Sequence, residues 1–208
     1  MVLGAWCLVR GGVAMKVLLH VCCGPCASAC VPALRELGHD VSLFYSNSNI
    51  DTHEEFEKRL DNAQTLAAAE GVGLEADAYD HADWYEQVAK GFEDEPEKGA
   101  RCARCFRYNL SRTAAFAAAH GYEAFTTSLT VSPHKVSPMV FEAGEDAAWT
   151  VSAKDCGGSA AATPGFLPVD FKKMDGFLRS LRRAAELGLY RQSYCGCEFS
   201  RRQDGGSP

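Results

Sequence analysis

An apolar run, Lys16–Val21, leads without a spacer into Cys22-Cys23-Gly24-Pro25-Cys26, and a helix-like segment from about Ala27 to Leu37 follows. A strand that gives way to a helix within a few residues is the opening of a β-α-β unit, the building block of a parallel sheet. Gly24 and Pro25 permit a sharp bend here. A bend is needed, because adjacent residues of an extended strand point to opposite faces. Cys22 and Cys23 face one centre only if the chain turns at them. The start of the following helix offers unpaired N–H groups and a positive dipole end, which favour thiolate over thiol. The turn reads as half of a metal site.

The alternation continues along the chain. Val41–Tyr45 is a second strand, followed by the polar loop Ser46-Asn47-Ser48-Asn49-Ile50. Thr52, with Glu55 three residues on, forms a capping box that opens an amphipathic helix running to about Glu70 and stopping at Gly71. Gly73–Ala78 reads as a third strand and Asp83–Ala89 as a helix with Trp84 and Val88 on one face. A helix over Cys102–His120 and a fourth strand over Phe125–Leu129 follow. Ala143–Pro168, rich in Ala, Gly and Ser, reads as loop; Phe171–Leu187 reads as helix. Strands and helices alternating over short links imply an α/β fold, a Rossmann-like parallel sheet with helices on both faces. Ligands of such sheets gather beyond the carboxyl ends of the strands, where the Cys22 turn and the Ser46–Ile50 loop both fall. Residues 15–200 read as a single catalytic domain, 1–14 as a disordered extension and 201–208 as a tail.

No long uncharged apolar run is present, so no membrane span is expected. Residues 1–14 lack the basic start and small-residue cleavage pattern of a signal peptide, and a cytoplasmic location follows. In that compartment ten cysteines among 208 residues point to metal or redox chemistry rather than a disulfide scaffold. The net charge of −6 argues against a general nucleic-acid binder, but the charge is uneven. Residues 51–97 hold fifteen Asp/Glu against three Lys/Arg; residues 101–112 hold four arginines and no acid; residues 171–202 hold eight Lys/Arg against three Asp/Glu. The basic stretches flank the cysteine segments and can face phosphates.

Cys102 and Cys105 sit where a helix should begin, so both sulfurs point the same way. That spacing serves zinc, iron–sulfur clusters and redox disulfides alike. With Cys22 and Cys23 at another helix start, it makes a four-thiolate site; the spacing does not choose between zinc and iron. Cys195 and Cys197, separated by Gly196, can close a small, strained and easily reduced disulfide ring. Such a pair holds two electrons where a cluster passes one at a time. Cys26 is a candidate ligand for a second metal, and Cys30, one turn later, belongs to the core; Cys7 and Cys156 receive no role. His20 orients the turn, His53 and His134 are candidate proton donors, and Asn49, Arg101, Arg104, Lys172 and Arg191 are candidate substrate contacts.

These motifs stand in order over residues 15–200: Leu18-Leu19-His20-Val21-Cys22-Cys23-Gly24-Pro25-Cys26, Arg101-Cys102-Ala103-Arg104-Cys105-Phe106, Thr126-Thr127-Ser128-Leu129 with Ser132-Pro133-His134-Lys135, Asp170-Phe171-Lys172-Lys173, and Tyr190-Arg191-Gln192-Ser193-Tyr194-Cys195-Gly196-Cys197. In this combination the chain resembles the cobalamin-independent epoxyqueuosine reductases. The resemblance implies a fold like the adenine nucleotide α-hydrolases, a [4Fe–4S] cluster on Cys22, Cys23, Cys102 and Cys105, and a redox-active disulfide between Cys195 and Cys197. It also implies an additional iron near the cluster, for which Cys26 is the candidate ligand. The implied reaction removes the epoxide oxygen from epoxyqueuosine at the tRNA wobble position to give queuosine, with tRNA and an electron-donor protein or reductant as partners. Three departures bear on substrate contacts: Ser46-Asn47-Ser48-Asn49-Ile50 stands in place of an Asn-Pro-Asn-Ile loop, Arg107-Tyr108-Asn109-Leu110 lacks the Arg expected before the Leu, and the Ala/Ser/Gly stretch around Cys156–Thr163 is unusual. Two alternatives share parts of the pattern. A tRNA-thiolation enzyme would need a Ser-Gly-Gly-x-Asp-Ser loop where Cys22–Cys26 stands; a zinc-containing tRNA-binding protein would need no catalysis.

Overall fold

The structure is a computed structural model that describes residues 14–154 and 163–201. Most of the expected extension and tail, together with Cys7 and Cys156, lie outside the described residues. The strands are β1 (Lys16–His20), β2 (Asp40–Tyr45), β3 (Leu74–Ala76), β4 (Ala124–Thr127) and β5 (Gly165–Phe166), in the order β3-β2-β1-β4-β5. Every pairing is parallel, as expected. The chain leaves β1 toward β2 on one side and reaches β4 on the other, so the carboxyl ends of β1 and β4 flank the point where the winding reverses. A crevice opens at such a point.

Helices cover both faces: α1 (Gly24–Glu36), α2 (His53–Glu70), α3 (His81–Trp84), α4 (Ala100–Ala119), α5 (Ser137–Lys154) and α6 (Gly176–Glu186). The two-residue period of β1 shows why. Val17 and Leu19 pack with Val31 and Leu34 of α1 and Leu66 of α2, whereas Leu18 packs with Leu110 of α4 and Val140 of α5. Each fully buried Leu or Val contributes about 1.5–3 kcal/mol, and a strand buried on both sides reads as a continuous apolar run. Among the described residues, no helix is long and apolar enough to cross a membrane.

Several elements differ from expectation. Much of Ala143–Pro168, read as loop, is helix α5, and β5 is a two-residue strand. Helix α5 buries Val140, Ala143 and Ala147 against α4, and a Cβ on Gly144 would collide with the Phe166 ring. Small residues make the close contact in the middle of this helix, so the apolar period there rests on Ala143, Gly144 and Ala147 and is weak in the sequence. Helix α1 starts at Gly24 rather than Ala27, with Cys23 as its N-cap. Gly24 is there for space: a Cβ would lie 2.7 Å from the Asn62 carbonyl oxygen on α2. The segment 85–89 is a π-helix continuing α3, and 171–174 is a separate 3-10 turn that ends at Asp175, in the left-handed region at φ 54°. Helix α2 begins at the capping box as expected, with Glu55 N–H donating to Thr52 Oγ1 at 3.3 Å.

Candidate metal and redox site

His20 ties the carboxyl ends of three strands together. Its Nε2 lies 3.0 Å from the Ser46 carbonyl and its Nδ1 lies 2.9 Å from Thr127 Oγ1. A carbonyl only accepts, so Nε2 carries the proton and Nδ1 receives the threonine hydroxyl. Burial lowers the pKa of His20, which keeps the ring in that neutral form. Asn47 Nδ2 donates to the Val21 carbonyl at 2.8 Å, and the turn is thereby held from β2 as well.

Beyond His20 the sulfurs gather. The extended backbone of Cys23 at the N-cap lets its Sγ accept from the Cys26 N–H at 3.4 Å, and it lies 4.0 Å from Cys22 Sγ. The sulfurs of Cys22, Cys23 and Cys26 all lie within 4.8 Å of one another. Hydrogen bonds from Cys22 and Cys26 hold the Cys23 thiol well below its ordinary pKa. Cys22, as the donor to Cys23, is pushed up to about 11, and Cys26 rises for the same reason. The group therefore stabilises one thiolate and keeps two protons that a metal ion would displace. Ser128, just past β4, accepts from Cys22 N–H at 3.0 Å and donates to Cys22 Sγ at 3.3 Å.

The second pair stands on the first turn of α4. Lys98 N–H donates to Cys102 Sγ at 3.3 Å, from a backbone held at φ 70°. Asn109 Nδ2 lies 3.9 Å from Cys105 Sγ, and the Trp84 indole faces the same sulfur. Burial pushes the Cys105 thiol well up, so it too is a thiol until a cation arrives. Cys22, Cys23, Cys26, Cys102, Cys105 and Cys195 all line one cavity of about 330 Å³. Thiolates are the ligands of zinc and of iron–sulfur clusters, and this donor set, with sulfurs already accepting N–H and O–H hydrogen bonds, fits such a group. Cys30 turns inward and is fully buried in the core.

Cys195 and Cys197 are free thiols on a loop pinned from beneath. Buried Arg59 donates to the Cys195 carbonyl at 3.0 Å and to the Tyr194 carbonyl at 3.4 Å, and is itself paired with Glu55 at 2.7 Å. Asp51 N–H holds the Gly196 carbonyl at 3.0 Å. Gly196 has φ 137°, and a Cβ there would meet Asn49 Nδ2 at 3.0 Å and Ile50 Cγ1 at 3.2 Å. The loop needs glycine for both reasons. Cys195 Sγ faces Lys135 Nζ at 2.6 Å, and Cys197 packs beside Trp84, Val88 and Cys105.

The expected substrate contacts divide. Asn49 and Arg191 line the cavity, with Asn49 Oδ1 accepting from Asn109 Nδ2 at 2.9 Å. Arg101 and Arg104, read as phosphate contacts, face inward. Arg101 is 3% exposed and donates to the Phe92 and Glu93 carbonyls at 2.7 and 2.9 Å. Arg104 donates to the Val88 and Gln87 carbonyls and lies over the Phe92 ring. The end of the π-helix and the turn-rich stretch after it leave carbonyls without intrahelical partners, and Arg104 and Arg101 satisfy them in turn. Lys172 Nζ donates to the Lys135 carbonyl at 2.7 Å. His134 lines the cavity, while His53 is exposed beside Glu57 at 3.5 Å. Sequence reasoning missed Arg59, Ser128 and Lys135. The Glu55–Arg59 spacing was a visible signal, but Ser128 and Lys135 carry none outside the motifs that contain them.

A parallel α/β sheet whose central strand delivers adjacent cysteines to a cavity shared with a Cys-x-x-Cys helix start and a Cys-Gly-Cys loop is the framework of a thiol-rich oxidoreductase, with one cysteine group close enough to hold a metal ion. Residues 17–203 match the family model described as epoxyqueuosine reductase QueH, and the chain belongs to that family. The epoxyqueuosine reductase QueH of Streptococcus pyogenes serotype M1 is 34% identical over 91% of this chain and 72% of its own length. Those of Thermotoga maritima (33%, over 88% of this chain and 89% of its own) and Dehalococcoides mccartyi (33%, over 94% and 97%) are similar along nearly the same span. Among solved structures, the U34-tRNA thiolase NcsA from Methanococcus maripaludis with its [4Fe-4S] cluster aligns over 86% of this chain and 58% of its own, at 12% identity and a TM-score of 0.47. At that distance the likeness says nothing of this chain's site.

Proposed function

We propose that this chain removes the epoxide oxygen from epoxyqueuosine at the wobble position of tRNA, giving queuosine. The observation that supports this most directly is that Cys22, Cys23, Cys102, Cys105 and Cys195 line the same cavity, in a chain of this family. In this reading Cys22, Cys23, Cys102 and Cys105 hold a [4Fe–4S] cluster, Cys26 holds an additional iron, and Cys195 and Cys197 cycle between dithiol and disulfide. When bound, such a cluster supplies electrons one at a time, and an added iron offers an open Lewis-acid position.

Loss of an epoxide oxygen to leave an alkene consumes two electrons and two protons and releases water. Closing the Cys195–Cys197 disulfide releases the Cys197 proton and gives up two electrons. An electron-donor protein or chemical reductant returns them. His134, at the cavity wall, is the candidate proton donor to the departing oxygen. Asn49 is the polar contact for the modified base, and Arg191, with Lys98, is the contact for phosphate near the entrance. A wobble base enters such a cavity only when it has left its stack, so the anticodon loop is bound as a single strand. A cytoplasmic location accords with that substrate.

The test is nucleoside analysis of epoxyqueuosine-containing tRNA after anaerobic incubation with the metal-loaded protein and a strong reductant. Conversion to queuosine is expected; an unchanged epoxide with loaded protein overturns the reading. One observation favours a second reading, a single zinc ion on the close group Cys22, Cys23 and Cys26. A colourless protein that retains zinc and lacks sulfide would select it.

A further inference from the structure

Lys135 sits in the cavity wall in an arrangement that its surroundings do not otherwise explain. Among the described residues, no carboxylate forms a salt bridge with it. Its neighbours are the Phe106 ring, 5.7 Å from Nζ to centroid, and Cys195 Sγ at 2.6 Å. The Lys172 ammonium is directed at the Lys135 carbonyl at 2.7 Å, which fixes the backbone that carries it. Lys135 is half-buried, and an ammonium drawn partly out of water gains from an anionic partner. The one group in contact that can become an anion is the Cys195 thiol.

We propose that Lys135 is the counter-ion of a Cys195 thiolate, and that it sets the balance of the Cys195/Cys197 pair toward the reduced form. Burial opposes the charge on Lys135, yet Cys195 in front, with Cys105 and Cys102 beyond, holds its ammonium well above the ordinary range. Cys197 instead packs beside Trp84, Val88 and Cys105, away from the Lys135 ammonium. The two sulfurs are thus unlike in their surroundings: Cys195 faces an ammonium, and Cys197 faces an indole and aliphatic side chains. Closing joins the two sulfurs, releases the Cys197 proton and passes two electrons to the acceptor. It also removes the negative charge that Lys135 faces, so oxidation is resisted. A pair whose reduced form is stabilised in this way is a stronger oxidant, because the thiolate is favoured over the disulfide. This inference rests on the reading of Cys195 and Cys197 as a redox pair.

The test equilibrates the full-length, metal-loaded protein anaerobically in glutathione buffers of graded ratio. Two glutathione thiols reduce the disulfide and leave as glutathione disulfide, and mass spectrometry of the Cys195–Cys197 peptide reads the oxidised fraction. Lys135→Gln is expected to move the equilibrium toward disulfide by about tenfold, which is about 30 mV for this two-electron couple. Lys135→Arg should restore most of it. A folded Lys135→Gln protein with an unmoved equilibrium overturns the inference. Wild-type protein gives a second readout: anionic iodoacetate should favour Cys195 over Cys197 more strongly than neutral iodoacetamide does. Equal selectivity of the two reagents also overturns it. Failure of the redox-pair reading looks different. Full multiple turnover by Cys195→Ser removes the pair from the reaction, whereas the Lys135→Gln shift is read without turnover.

Discussion

Ser128 Oγ accepts a hydrogen bond from the Cys22 amide at 3.0 Å and returns one to Cys22 Sγ at 3.3 Å, so a hydroxyl beyond β4 fixes both ends of a cysteine beyond β1. Neighbouring strands of the sheet meet through this residue at the crevice mouth.

Replacing Ser128 by Ala removes both contacts at once. The expected cost to stability is about 1–3 kcal/mol, since the Cys22 amide loses its acceptor. Hydrogen bonds to ligating sulfur also tune a cluster's potential and affinity. Potentiometric titration of the metal-loaded variant should give a lower midpoint than wild type. An unchanged midpoint with full metal content would show that Cys22 does not ligate the centre.

Gly196 is expected to tolerate no side chain. Ala there combines an unfavourable φ of 137° with contacts of 3.0 and 3.2 Å to Asn49 and Ile50. The strain is worth about 1–3 kcal/mol, and displacing the loop relieves it. Gly196→Ala should therefore keep most of its thermal stability while slowing closure of the Cys195–Cys197 disulfide under mild oxidant. Wild-type closure rates in the variant would refute the account of the loop.

Lys98 offers the opposite case. It is exposed and held at φ 70°, and its amide donates to Cys102 Sγ. Glycine adopts that conformation without penalty. Lys98→Gly should raise stability by about 1 kcal/mol with metal content unchanged; Lys98→Val should lower it. Denaturant melts of both variants decide, and a destabilised glycine variant would contradict the strain.

Alkaline pH should destabilise the metal-free protein. Burial raises Cys197 to about 11 and lifts Cys105 well above its ordinary value. The folded state then holds these protons more tightly than the unfolded chain. The stabilisation is full below the unfolded thiol pKa of about 8.5, and is lost as pH rises through the folded values. Metal loading removes the Cys105 proton and should flatten the alkaline limb. Parallel melts from pH 8 to 11, with and without metal, check this; identical profiles would argue against metal on Cys105.

Arg191 lines the cavity, unlike Arg101 and Arg104, which are bonded to carbonyls. Arg191→Ala should weaken tRNA binding and lower the slope of log affinity against log salt by about one, with stability unchanged. Filter binding at several salt concentrations measures it, and an unaltered slope would remove Arg191 from the RNA surface.

The α/β class and the identity of the cysteine turns were legible in the residues themselves. Continuous apolar runs such as Val17-Leu18-Leu19 belong to strands buried on both faces, and capping signals such as Thr52 with Glu55 act within one turn of chain. These are local effects, so local sequence carries them. Helix α5 was not legible, because Ala143, Gly144 and Ala147 acquire meaning only from the proximity of α4 and Phe166. The same holds for the charges. Arginines spaced along α4 look alike in sequence, yet Arg101 turns to the Phe92 and Glu93 carbonyls while Arg112 meets Asp77, whose pKa is held down against the effect of burial. The placement of Lys135 opposite Cys195, and of Arg59 beneath it, joins residues far apart in the chain. Only the assembled sheet brings them within bonding distance, since the energy that selects such partners arises from burial and not from neighbours in sequence.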